Sequence, residues 1–180
     1  MTTSIGGKTV ELLNDGSHIW AYNPDDPHAH ANNVAGMLKA FLNRLASSTE
    51  AESIDLATRV IEKNRLAVIW ARLFVAAARR PQALGALLWP YASALPFLRS
   101  IDTKKDAIDA VAAIYPTLDA SEKSQFEQTV QTIVFEGYEN PDRVKERFLA
   151  TLFRAIGDAN LVSPEAKTLG LQRVRGYHLL

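Results

Sequence analysis

The sequence contains no cysteine and carries no net charge, and each absence excludes a class of protein. Without cysteine, the 180 residues can form neither a disulfide framework nor a zinc site with thiolate ligands. The 20 Lys and Arg residues are balanced by 20 Asp and Glu residues, which argues against a nucleic-acid partner held by a broad basic surface. The first residues lack the charged-then-apolar pattern of a secretory signal, so we expect a cytoplasmic protein with no membrane association and no cofactor.

The sequence also lacks an uninterrupted apolar stretch long enough to cross a membrane. Residues 81–98 contain no charged side chain, but Gly85, Pro90, Ser93 and Pro96 interrupt them. We therefore predict two short, packed helices at about 84–89 and 91–98. The overall composition, 47% apolar and 22% charged, is that of an ordinary globular protein.

From residue 33 onward the apolar residues follow a helical period. One stripe, for example, recurs every three or four positions from Val34 to Leu45. Starts near residues 33, 49, 65, 82, 103, 121, 141 and 164 predict an all-α fold of seven or eight short antiparallel helices, and residues 65–80 are apolar enough to be buried on most sides. Behind a small N-terminal β-hairpin and loop at residues 1–32, we expect one helical domain at residues 33–180.

Capping residues define most of the predicted helix ends. Thr49 with Glu52 forms a capping box, and Asn140-Pro141 and Ser163-Pro164 are typical helix starts. The helix that begins near residue 103 is expected to be capped by Asp102 or Thr103. The next helix, near residue 121, is expected to be capped by Asp119 or Ser121. Glycines follow three predicted helices and should end them, at Gly137, Gly157 and Gly176.

Two glycine-containing stretches lie among the N-terminal residues. Asp15-Gly16 favours a tight hairpin turn, which predicts strands at residues 8–13 and 18–22. In such a strand Trp20 and Tyr22 would face the same side. Gly6-Gly7-Lys8-Thr9 matches only the end of a phosphate-binding loop, so we interpret it as a flexible segment.

The helix spacing resembles that of a known repeat architecture. Every-second-helix separations of about 32 to 38 residues are similar to the period of HEAT and armadillo solenoids. The resemblance implies a solenoid-like stack of helices. A two-layer helical globule would show similar separations between its helices and is the alternative. Residues 76–85, AAARRPQALG, also look similar to helical-repeat tails of large bacterial NTPase-linked proteins, which implies a partner-binding module in a larger assembly.

Four side chains in the loop after the predicted hairpin are candidate metal ligands. Asp25, Asp26, His28 and His30 combine carboxylate with imidazole, the donor set that zinc, nickel, manganese and iron accept. The alternative is a structural loop, in which the two aspartates cap backbone amides in turns next to proline and the histidines are solvated.

Charge and aromatic residues indicate a second type of site. Arg65, Arg72 and Arg79 lie seven residues apart, so one face of a helix would carry them either as a solvated ridge or as a surface for an anion or an acidic partner. Trp20 and Tyr22 could anchor the hairpin or form an exposed recognition surface. Residues 102–142 are acidic instead, with nine acids against three bases.

Three functions fit these patterns. The favoured prediction is a non-catalytic, helical protein-interaction or regulatory module with a protein partner, because no nucleophile motif is present. The alternatives are a small metal-dependent enzyme using the Asp/His loop, and an all-α inhibitor or immunity-type protein acting through its acidic half.

Overall fold

The computed structural model describes residues 1–171, and the predicted helix end at Gly176 lies outside this range. The chain divides into two compact units, Met1–Thr117 and Leu118–Leu180. Ten α-helices and one two-stranded sheet lie in the described part, which confirms the all-α fold and its small N-terminal hairpin. None of the helices within residues 1–171 combines the length and the apolar character needed to span a membrane.

The hairpin turns earlier in the chain than the sequence predicted. Strands β1 (Thr2–Ile5) and β2 (Lys8–Glu11) pair antiparallel, with Ile5 opposite Lys8. Gly6 and Gly7 connect them with φ angles of 57° and 77°, a two-residue turn in which both central residues are left-handed. The predicted pairing of 8–13 with 18–22 is therefore wrong, and Gly6-Gly7 is an ordered turn rather than a flexible segment.

Asp15-Gly16 precedes a helical turn instead of closing a hairpin. Gly16 is left-handed, with φ at 69°, and leads into helix α1 (Ser17–Trp20). One Asp15 carboxylate oxygen accepts the Ser17 amide at 3.1 Å, and the other accepts the Val68 amide at 2.9 Å. The glycine was correctly predicted to need positive φ, but the long-range hydrogen bond from Val68 to the preceding carboxylate favours a different structure.

Helices α2 to α7 complete the first unit. Their bounds are α2 Val34–Ser47, α3 Glu50–Lys63, α4 Ala67–Arg79, α5 Pro81–Ala92, α6 Leu95–Arg99 and α7 Lys104–Ile114, followed by a 3-10 turn at Tyr115–Thr117. The Thr49–Glu52 capping box of α3 is confirmed. Helix α5 continues through Pro90 rather than ending before it, because a proline in the last turn removes only one hydrogen bond.

Helix α4 forms the centre of the first unit. It packs against α2, α5 and α7, and ten of its thirteen residues are buried. Four rings contact one another in tilted or edge-to-face pairs with centroids 4.7 to 6.0 Å apart: Trp70, Phe74, Tyr91 and Phe97. This aromatic cluster confirms the prediction that the helix is buried on most sides.

The second unit contains helices α8 (Ala120–Val130), α9 (Pro141–Ile156) and α10 (Pro164–Leu171). Asp119 forms a capping box at α8, Asn140 caps α9, and Gly157 follows α9 with φ at 87°. Helix α8 ends at Val130, so the prediction that it continues to Gly137 is wrong. Gly137 is left-handed in a later turn.

A buried carboxylate organises the second unit. Glu127 on α8 is fully buried, and its two oxygens accept the amides of Val162 and Ser163, each at 2.8 Å, just before α10 begins. We expect Glu127→Gln to lower the free energy of unfolding by about 2 kcal/mol, because an amide leaves one of the two N–H groups without an acceptor. Urea unfolding measures the change. The exposed Glu146→Gln is the control, and equal stability of the two variants would contradict the expectation.

Candidate functional site

Three cations from two helices hold the residues that follow α1. We call residues 20–28 the 20–28 segment. Arg72 Nη2 donates to the Ala21 carbonyl at 2.7 Å, Arg79 pairs with the Asp25 carboxylate at 2.6 Å, and Lys39 on α2 donates to the carbonyl of Asp26 at 3.2 Å. The segment has no regular secondary structure beyond the end of α1, so these contacts fix its course across α2 and α4.

A cavity of about 260 Å³ lies between this segment and the two helices. Trp20 and Tyr22 stand at it with 50% and 70% of their surface exposed. The Trp20 indole N–H donates to the Asp15 carbonyl at 3.1 Å, which fixes the ring in place. The lining comprises aromatic, polar, charged and small apolar residues: Trp20, Ala21, Tyr22, Asn23, Asp26, His28, Ala35, Leu38 and Arg72.

Arg72 is the charged residue at the inner side of this cavity. It is only 2% exposed, and its Nε finds no hydrogen-bond acceptor within residues 1–171. Burial lowers its pKa below the ordinary value, against the opposing attraction of Asp106 and Asp25. An arginine keeps its proton in such surroundings, so a buried positive charge faces the cavity.

A carboxylate on the other side of the segment holds α1. Asp102 is buried, and its two oxygens accept the backbone amides of Asp15, Gly16 and His18 at 3.1 to 3.3 Å. The His18 ring Nδ1 lies 2.6 Å from the same carboxylate. Several convergent N–H groups of this kind form a concave anion site, here occupied by a side chain of the protein itself. Of the two residues predicted to cap α7, Asp102 or Thr103, the structure places Thr103 at the cap position, without a side-chain hydrogen bond to the helix.

A smaller cavity of about 80 Å³ lies beside this carboxylate. Ser17, His18, Tyr22 and Asp106 are among its lining residues, and Tyr22 therefore lines both cavities. Ser17 Oγ and Asp106 Oδ1 are buried without a hydrogen-bond partner in the described part of the chain, although Lys105 Nζ lies 3.6 Å from Asp106 Oδ1. Burial raises the pKa of Asp106 above its ordinary value, although the positive charges of Lys105 and Arg72 act in the opposite direction.

The four predicted metal ligands are not assembled into one site. The Asp25 carboxylate pairs with Arg79, and Asp26 Oδ1 accepts the backbone amide of His28 at 2.9 Å. The backbone amide of His30 donates to Asn33 Oδ1 at 3.3 Å, so this end of the loop belongs to the cap of α2. Across residues 1–171, no three His, Cys, Asp or Glu side chains are placed to hold one metal ion.

The three arginines predicted to share a helix face have different environments. Arg65 precedes α4 and pairs with Glu11 of β2 at 3.0 Å, while Arg72 is buried and Arg79 holds Asp25. In the acidic stretch 102–142, three of the nine acids are buried: Asp102, Asp106 and Glu127. The structure therefore brings together Arg72, Trp20 and Tyr22 at one cavity, and it places Arg65 and Arg79 in other contacts.

The second unit has a depression of about 370 Å³ at the start of α9. Its lining residues are exposed except the half-buried Val144, so it is an open surface feature without a buried polar group. The cavity at Arg72 is the stronger candidate because a buried charge and two exposed aromatic rings converge on it. Comparison of this chain with protein-family models, curated protein sequences and solved structures gave no match.

Proposed function

We propose that this chain is a non-catalytic protein-interaction module that binds a partner polypeptide over the cavity at Arg72. The observation that carries the proposal is the pair of exposed aromatic rings, Trp20 and Tyr22, held beside a buried arginine. Trp, Tyr and Arg are the residues that most often dominate the binding energy of protein interfaces. Ile19, 71% exposed on α1, adds apolar surface next to them.

The contacts of the 20–28 segment support this proposal. Arg72 and Lys39 bind two backbone carbonyls of the segment, Arg79 binds the Asp25 side chain, and a hydrogen bond fixes the Trp20 ring. A surface that is ordered before binding loses less conformational entropy when a partner docks. Two ion pairs argue against a nucleic-acid surface, because Arg65 is paired with Glu11 and Arg79 with Asp25.

The proposal predicts that peptides bind through the two rings. Random dodecapeptides displayed on phage are selected on the full chain, and the bound peptides are synthesised and titrated by calorimetry. We expect Trp20→Ala combined with Tyr22→Ala to weaken their binding by about thirty-fold, roughly 2 kcal/mol, since both rings lose contact area with the peptide.

Tyr138→Ala is the matched control, because it removes an exposed tyrosine from the other unit. Far-ultraviolet circular dichroism must show that all variants keep their helical content. The proposal fails if no peptide is enriched, or if the enriched peptides bind the double variant as tightly as they bind the wild-type chain.

A further inference from the structure

Arg72 carries a positive charge that its neighbours balance only in part. Its Nη2 has the Ala21 carbonyl as acceptor, but this is an uncharged group, and Nε has no acceptor within the described residues. Removing a charged guanidinium from water is costly unless an anion or several acceptors replace the water. Burial of Arg72 in an open-mouthed cavity therefore leaves room for an acceptor that comes from outside.

The two acids whose charges act on Arg72 are poor counter-ions for it. Asp25 is engaged at 2.6 Å by Arg79, so its charge is shared. Asp106 is buried on α7, and Lys105 Nζ lies 3.6 Å from its Oδ1, so its charge is shared as well. The positive charge at the inner side of the cavity consequently favours an incoming anionic group.

The remaining lining shows which kind of anion fits. Asp26 also lines the cavity, and its negative charge would repel a small inorganic anion such as phosphate. A polypeptide can place a carboxylate at Arg72 and donate a backbone or side-chain N–H to Asp26. Trp20 and Tyr22 at the mouth would then contact its apolar side chains.

We propose that the cavity receives an Asp or Glu side chain from the partner polypeptide, with the carboxylate bound by the Arg72 guanidinium. This inference rests on the proposed function and names the chemistry of its partner. Arg72 is a binding residue, and Asp26 is a specificity residue that favours peptides over simple anions.

The test uses the peptides selected on the full chain, synthesised with an amidated C-terminus so that their side chains carry the only carboxylates. We expect replacement of their Asp and Glu by Asn and Gln to weaken binding to the wild-type chain by about ten-fold. The Arg72→Gln variant should bind the acidic and the amide peptides equally, because it lacks the guanidinium charge that attracts the carboxylate.

A second variant keeps the test decisive if Arg72→Gln does not fold. Ala35→Met narrows the cavity from α2 without changing Arg72, and it should weaken the acidic peptides by about ten-fold. Ala40→Met, at an exposed position of the same helix outside the cavity lining, should bind them as the wild type does.

The outcomes separate this inference from the proposed function. If acidic and amide peptides bind equally but both depend on Trp20 and Tyr22, the protein-interaction function stands and the carboxylate site is wrong. If no peptide binds, both are wrong. Inorganic phosphate at matched ionic strength is the simple-anion probe, and binding as tight as that of the acidic peptides would show a plain anion site and overturn the inference.

Discussion

Replacing Asp102 by Asn should lower the free energy of unfolding by about 3 kcal/mol, the largest effect expected of a single polar substitution here. The carboxylate accepts three backbone amides and faces the His18 ring at 2.6 Å, and its side chain is almost completely buried. An amide group turns one of the two acceptor oxygens into a donor. At least one of the N–H groups of residues 15–18 is then left buried without a partner.

The matched control is Asp109→Asn on the same helix. Asp109 pairs with Lys105 at 3.0 Å, but both side chains are more than half exposed, so removing this ion pair should change stability by less than about 1 kcal/mol. Urea unfolding of both variants gives the comparison. Hydrogen exchange should show faster exchange in residues 13–22 of Asp102→Asn, and equal stability of the two variants would contradict our account of Asp102.

The Asp102 carboxylate should make the free energy of unfolding depend on pH in the acid range. Burial alone would raise its pKa, but the hydrogen bonds from His18 and the neighbouring backbone amides outweigh burial and lower the pKa below the ordinary 3.8. The unfolded chain therefore binds a proton more readily than the folded one. The contribution of Asp102 is complete above about pH 4 and is lost as the pH falls through its folded pKa. Asp102→Asn should accordingly show a shallower loss of stability between neutral and acid pH.

Gly36→Ala should destabilise the protein by about 2 to 3 kcal/mol, although alanine normally stabilises a helix more than glycine does. A Cβ at Gly36 would overlap the backbone carbonyl of His30, which cannot rotate away as a side chain can. The Asn33 side chain links His30 to Gly36, since its Oδ1 accepts hydrogen bonds from the backbone amides of both residues. The loop before α2 must therefore shift as a unit.

Gly170→Ala is the control for helix propensity. The added Cβ would lie at ordinary van der Waals distance from Phe153 on α9, so this variant should keep or slightly increase the stability of the protein. Because His28 lines the cavity and belongs to the shifted loop, Gly36→Ala should also weaken peptide binding. Denaturant unfolding and peptide titration measure the two effects, and unchanged stability would refute the steric argument.

Helix boundaries were predictable where their signals are local. Thr49 with Glu52, Asn140 with Pro141, and Gly157 each act within four residues, and each occupies the position expected of it. Gly137 shows the limit of such signals. Its positive φ was predicted correctly, but positive φ also serves turns, and α8 ends seven residues before it.

The sequence predicted several residues of the candidate site but not their arrangement, because contacts between distant parts of the chain determine that arrangement. Helical spacing placed Arg72 on a face with Arg65 and Arg79, but burial of Arg72 depends on the 20–28 segment lying over it. The interaction of Asp102 with the residues that precede and form α1 spans more than eighty positions, and no periodicity in the sequence encodes it.

The distance along the chain between Asp102 and the amides that it accepts also has a consequence during synthesis. These partners are 84 to 87 residues apart, so a ribosome adding about 5–20 residues per second needs roughly 4 to 17 s to reach the aspartate. Until then the nascent α1 lacks the Asp102 carboxylate that binds its first amides. Three side chains that are buried in the folded protein, Ile5, Val10 and Leu12, are also synthesised before that residue. During that interval the amides of Asp15, Gly16 and His18 lack their carboxylate acceptor, and a chaperone can reach this part of the nascent chain.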